Sequence, residues 1–154
     1  MRRNTSGFTL VELLIVVVIM GLMGMFAYPR MRGTTTSLSV RNARQQVQTM
    51  LVVARAASVQ NGSEARFIRS GNVARVVVDS SGTFVTLMSR NLYTEQGVTL
   101  TTGGAAPRDT IRFDSRGMGI GLTGAATFRF TNSTVTDSIC VSKYGKVART
   151  GCTA

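Results

Sequence analysis

Few side chains in this 154-residue sequence could do covalent or acid–base chemistry. Histidine is absent, which excludes histidine-based triads and histidine metal clusters. Glu64, Asp79, Glu95, Asp109, Asp114 and Asp137 are scattered without the spacing of an acid–base pair, and no serine sits in a nucleophile elbow. The expectation is a protein that is not an enzyme and holds no metal or cofactor. Three features still ask for a role. They are a lone Glu12 inside an apolar run, the pair Cys140 and Cys152, and the cationic segment Lys143-Tyr144-Gly145-Lys146-Val147-Ala148-Arg149.

The apolar run, Phe8 to Tyr28, lies between Gly7 and Pro29, and Glu12 is its one charged residue. As a helix it is about 31 Å long, the thickness of a bilayer core. A carboxylate there costs roughly 2.5–3.5 kcal/mol on insertion scales, so it needs a partner or a function. A cleaved secretory signal would explain Arg2 and Arg3, but such apolar regions are shorter and no small-x-small site precedes Pro29. A plain membrane anchor leaves Glu12 unexplained. A buried core helix would have to be apolar all round, which does not suit so small a chain.

Gly7-Phe8-Thr9-Leu10-Val11-Glu12 resembles the leader junction of type IV pilins and type II secretion pseudopilins. The shared pattern is a short basic leader ending in Gly, then Phe, then Glu at the fifth position. The resemblance implies cleavage between Gly7 and Phe8 by a prepilin peptidase and N-methylation of Phe8. It implies that Glu12 serves assembly, compensated by the terminal ammonium of a neighbouring subunit where solvent cannot reach. Charge counting does not orient the span, because Arg2 and Arg3 on one side face Arg30 and Arg32 on the other. The resemblance supplies the orientation: leader in the cytoplasm, single pass through the inner membrane, remainder in the periplasm and then in a filament.

The formal charge is +11, from 18 Lys+Arg against 7 Asp+Glu. This fits either a solvated basic surface or attraction to nucleic acid, acidic lipid or an acidic partner. Two cysteines without histidine make a poor metal site. Outside the cytoplasm Cys140 and Cys152 are expected to form a disulfide, worth roughly 3 kcal/mol to a small domain in the chain-entropy model.

The elements that position these residues follow from periodicity. Pro29 removes a backbone donor and is expected to kink or loosen the first helix, and Gly33 to Ser37 is a second weak point. From Leu38 to about Gln60, Ala43, Val47, Met50, Leu51, Ala54 and Ala57 form one apolar stripe, with Arg41, Arg44, Gln48 and Arg55 opposite as a solvated face. Asn61-Gly62 supplies the stop. Strands are expected at 66–68, 73–79, 83–88, 98–101, 110–113, 126–130 and 139–141. Asp79-Ser80-Ser81-Gly82 reads as a hairpin turn, and 103–107 and 116–121 as loops.

The helix end Ala54 to Gly62, Ile111-Arg112-Phe113 with Gly117, and Ile139-Cys140-Val141-Ser142 with Gly145-Lys146-Val147 are similar to the GspH/FimT pseudopilin family. The expected fold is therefore α+β and pilin-like, a long N-terminal helix packed on a C-terminal antiparallel β-sheet head. Its parts are a leader (1–7), a transmembrane or filament-core helix (8–29), an amphipathic continuation (30–61) and a β-rich head (62–154). The expected function is a minor pilin or pseudopilin assembling with other such subunits into a type IV pilus or a type II secretion pseudopilus. A major pilin is one alternative. Another is a DNA-binding minor pilin for natural transformation, with Lys143, Lys146 and Arg149 gripping phosphates and Tyr144 stacking on a base. Some FimT-type pilins bind DNA through a Gly-Arg-x-Arg motif in this area. Here Lys146 replaces the first Arg, and Arg149 comes one position later.

Overall fold

The computed structural model describes residues 8–103 and 108–149, the side chains of 26–34 aside. The chain divides into two compact units, one up to Thr35 and one from Thr36 onward. A single helix, α1 (Leu10–Asn61), supplies the first unit and the opening of the second.

In the first unit Thr9 caps α1. Its Oγ1 accepts the Glu12 N–H at 3.2 Å and its carbonyl accepts the Leu13 N–H at 3.2 Å. Thr-x-x-Glu is the spacing of a capping box, and it puts the Glu12 carboxylate in the first turn, beside the positive end of the helix dipole. The described apolar side chains of this unit, from Leu10 to Met25, are all exposed. Among the described residues no helix is long and apolar enough to cross a membrane. The backbone stays helical through Pro29 and Gly33, so neither residue ends α1. A proline deletes only one donor from the ladder, and helical flanks carry the rest. The weak stretch Gly33–Ser37 nevertheless contains the boundary between the two units.

In the second unit, α1 buries Val40 together with the whole expected stripe, Ala43, Val47, Met50, Leu51, Ala54 and Ala57. It ends in a Schellman turn at Gly62 (φ +61°), where Ser63 N–H donates to Ser58 O and Gly62 N–H to Val59 O. Against the stripe lie two antiparallel sheets. One, in the order β3-β2-β1-β5-β6, is built from β1 (Ala65–Ser70), β2 (Val73–Ser80), β3 (Thr83–Asn91), β5 (Thr110–Phe113) and β6 (Gly119–Ile120). The other, in the order β4-β7-β8-β9, comprises β4 (Thr99–Gly103), β7 (Ala126–Asn132), β8 (Val135–Val141) and β9 (Val147–Ala148). Phe67 of β1 meets Phe128 of β7 edge to face at 5.2 Å, so both sheets share the core over α1. Arg69 of β1 donates to Leu100 O of β4, and Asn72 Oδ1 accepts the Leu100 N–H, stitching the sheets at one edge.

The β2–β3 hairpin turns where expected, with Ser81 and Gly82 both at positive φ and Asp79 Oδ1 accepting the Gly82 N–H. A short α2 (Leu92–Gln96) lies between β3 and β4, capped by Asn91 Oδ1 at its start and by left-handed Gly97 at its end. β6 occupies part of the segment expected as a loop, and β8 begins at Val135 rather than Ile139.

On the outer side of the first sheet, register places Arg66 directly opposite Arg112. Like charges in that position repel. Glu64 resolves the conflict, because its carboxylate accepts from Arg66 Nε and bidentately from Arg112 Nε and Nη2, at 2.8 and 2.7 Å. The Arg112 hydrogen bonds, reinforced by Arg66 and opposed by desolvation, hold the Glu64 carboxyl down at about 2 from an ordinary 4.5. A depressed carboxylate stabilises the fold above its unfolded pKa and loses that contribution as pH falls through the folded one. Allowing for the exposure of Arg112, Glu64→Gln is expected to cost about 1–2 kcal/mol at pH 7, converging with the parent between pH 4.5 and 2. Denaturant melts at stepped pH measure this, and a gap independent of pH would refute the linkage.

Candidate functional site

The carboxylates of the head are occupied by internal partners. Asp109 pairs with Arg69, Glu95 accepts from Gln46 Nε2 and approaches Arg90, and Asp114 Oδ1 accepts the backbone N–H groups of Arg116 and Met118. With Glu64 and Asp79 already placed, Asp137 remains. Its Oδ2 lies 3.0 Å from Arg44 Nε and 3.4 Å from Arg149 Nη2, while Oδ1 accepts the Ser138 N–H. The head therefore holds its carboxylates within a structural framework rather than pairing two of them for acid–base work.

Arg44 corrects the expectation of a solvated helix face. Its side chain is only 13% exposed, and Asp137 opposite is 17% exposed. The Nε–H is not well aligned for a hydrogen bond, so the contact is mainly an ion pair. The signal was present in the spacing. Position 44 lies four residues after Val40 and three before Val47, on the flank of the buried stripe. Arg41 and Arg55 are exposed as expected.

The four cationic and aromatic residues singled out near the C-terminus do not form one patch. Lys143, Tyr144 and Lys146 stand exposed on the turn between β8 and β9, with Lys143 Nζ 5.1 Å from the Tyr144 ring centroid. That turn is closed by Gly145 N–H to Ser142 O and Ser142 N–H to Lys146 O. Gly145 is required there, since it sits at φ +81° and an added Cβ would fall 2.9 Å from Phe113 Cε1. Arg149 has come back along β8 to Asp137. At roughly 3.3 Å per residue, Asp137 lies about 17 Å along the strand from the turn at Ser142. Cys140, on β8, is nearly buried, and among the described residues no cysteine is free. Cys152 lies outside the described residues, as does Gly7. Phe8 is exposed, one residue before the capping Thr9.

Two family profiles match the chain: the prokaryotic N-terminal methylation motif over residues 2–28, and the type II transport protein GspH over residues 43–145. The second covers most of α1's buried half and every strand of the two sheets except β9. The chain belongs to the GspH family. Members are structural subunits, and this one is a minor pilin or pseudopilin of the type IV pilus and type II secretion class. The type IV minor pilin FimU of Pseudomonas aeruginosa PAO1 has a similar fold in two crystal forms. The P21 form gives a TM-score of 0.58 at 16% identity, covering 73% of this chain and 89% of that one. The P65 form gives 0.56 at 17% identity, covering 73% and 93%. No curated protein matches this GspH-family chain.

Proposed function

We propose that this subunit enters the inner membrane once through residues 8–29, with leader 1–7 in the cytoplasm and the β-rich head in the periplasm. Prepilin peptidase cuts between Gly7 and Phe8, Phe8 is methylated, and the subunit passes into a periplasmic or extracellular filament. The observation that carries this is the uncovered apolar surface of α1 from Leu10 to Met25 behind a capped start that keeps Glu12 at the very beginning of the helix. A lone chain in water does not leave so long an apolar surface uncovered; lipid and then neighbouring helices cover it. Glu12 takes the terminal ammonium of a neighbour, and Cys140 and Cys152 staple the end of the head. The protein acts by packing, without catalysis or cofactor.

Mass spectrometry of the subunit from sheared filaments tests this. The expected N-terminus is methylated Phe8, with a mass two hydrogens below that of the dithiol. An N-terminus at Met1 in the assembled protein would overturn the processing scheme. Duplex DNA as a partner is favoured only by the exposed turn of Lys143, Tyr144 and Lys146, because Arg149 is engaged by Asp137.

A further inference from the structure

A cleft of about 180 Å³ opens where the head's stretch of α1 begins, between that helix and the first residues of β8. Arg41 and Arg149 stand at its sides with Ser37 and Thr136, Asp137 lies within, and Val40 and Val135 form an apolar lining. Arg41 and Arg149 thus line the same cleft as Asp137, whose carboxylate Arg44 also meets from the helix. Asp137 already serves Arg44, Arg149 and a backbone N–H. Arg41 has no ion pair among the described residues. The cleft carries an excess of positive charge beside an apolar wall, where an ion pair gains strength over one in open water.

We propose that this cleft is a socket for a carboxylate side chain on a different, neighbouring subunit of the filament, gripped by Arg41 beside the Arg149–Asp137 pair. The partner's identity as a filament subunit rests on the assembly proposed above. A guanidinium fork suits a carboxylate bidentately, and the Ser37 hydroxyl lines the same cleft. The volume admits one side chain and not the path of a nucleic-acid backbone. A second copy of this chain is a poor occupant. The carboxylates of its head are engaged internally, and Glu12 sits in the apolar segment. Two heads of the same strong positive charge also repel. The socket therefore selects an acidic neighbour over self-association, which suits a subunit present singly among others.

The test uses the full chain expressed beside its filament system. Arg41→Glu is compared with Lys146→Glu, an equal charge change at the distant turn. Filament recovery is expected to fall about tenfold for Arg41→Glu and to stay near the parent for Lys146→Glu. Membrane levels and the melting temperature in detergent should be unchanged for both, because Arg41 is exposed. If Arg41→Glu does melt early, Arg41→Ala replaces it, with a smaller loss expected in the same direction. Equal recovery of Arg41→Glu and parent overturns the socket, and so does an equal fall for Lys146→Glu, which would mark a general charge effect. Loss of duplex-DNA retention by Arg41→Glu with filament recovery intact assigns the cleft to nucleic acid and also overturns it. A parent chain that never enters filaments defeats the assembly reading first, and the socket with it.

Discussion

Glu12→Ala is expected to reach the membrane at the parent's level and to be recovered from filaments at a tenth of the parent's amount or less. The role proposed for Glu12 in assembly belongs to its carboxylate, whereas its place in the start of α1 belongs to its backbone. Its backbone N–H donates to Thr9 Oγ1, and alanine keeps that bond. The helix therefore still starts at Leu10, and the substitution removes only the carboxylate. Insertion becomes easier, since the ~2.5–3.5 kcal/mol cost of the buried acid disappears. On the proposed pairing, assembly becomes harder, because the ammonium on a neighbouring Phe8 would lose its counter-charge in a place without water. A tenfold loss corresponds to about 1.4 kcal/mol, modest for an ion pair in such surroundings. Immunoblots of sheared filaments against membranes give the ratio, with Glu12→Gln as the isosteric control. Equal recovery of the alanine variant would remove Glu12 from assembly.

The same residue shows what was legible in the sequence. The leader junction, the buried stripe of α1 and the 79–82 turn are encoded by neighbours in the chain. Spacing and turn chemistry therefore reveal them without the fold. Even α2 was written in Asn91 and Gly97, which are cap residues at both ends of a five-residue helix too short to show a period. The strand β8 was cut short because Thr136 and Ser138 face outward, and polar residues hide a half-solvated strand. What could not be read is the pairing of charges far apart in sequence. Arg66 and Arg112 are brought together by strand register, and Arg44 and Asp137 by the packing of α1 against β8. The division of the C-terminal cations is of the same kind. Lys143 and Arg149 are near in sequence, yet a hairpin sends one to the turn and the other back to Asp137.

That packing makes Asp137→Ala the most destabilising surface-charge change expected in the head. Removing the carboxylate leaves Arg44 buried without a counter-ion, between Val40 and Val47 on the helix. Breaking a largely buried pair from one side costs about 3 kcal/mol, because the surviving charge is still desolvated. For a domain of this size that lowers the melting temperature by about 10 °C. Arg149→Ala, which removes the other partner of the same carboxylate, is expected to cost under about 0.5 kcal/mol, since its side chain is 62% exposed. Arg44→Met with Asp137→Leu should recover most of the loss, apolar side chains replacing a pair whose net worth is small. Thermal melts of the three variants and the parent decide the matter. If Asp137→Ala costs no more than Arg149→Ala, water reaches Arg44 and the ion pair does not fasten α1 to β8. If it costs several-fold more and the double variant recovers, Asp137 is the counter-ion that lets an arginine sit beside the core stripe. The excess cation at the cleft is then Arg41, which the fold can lose without loss of stability.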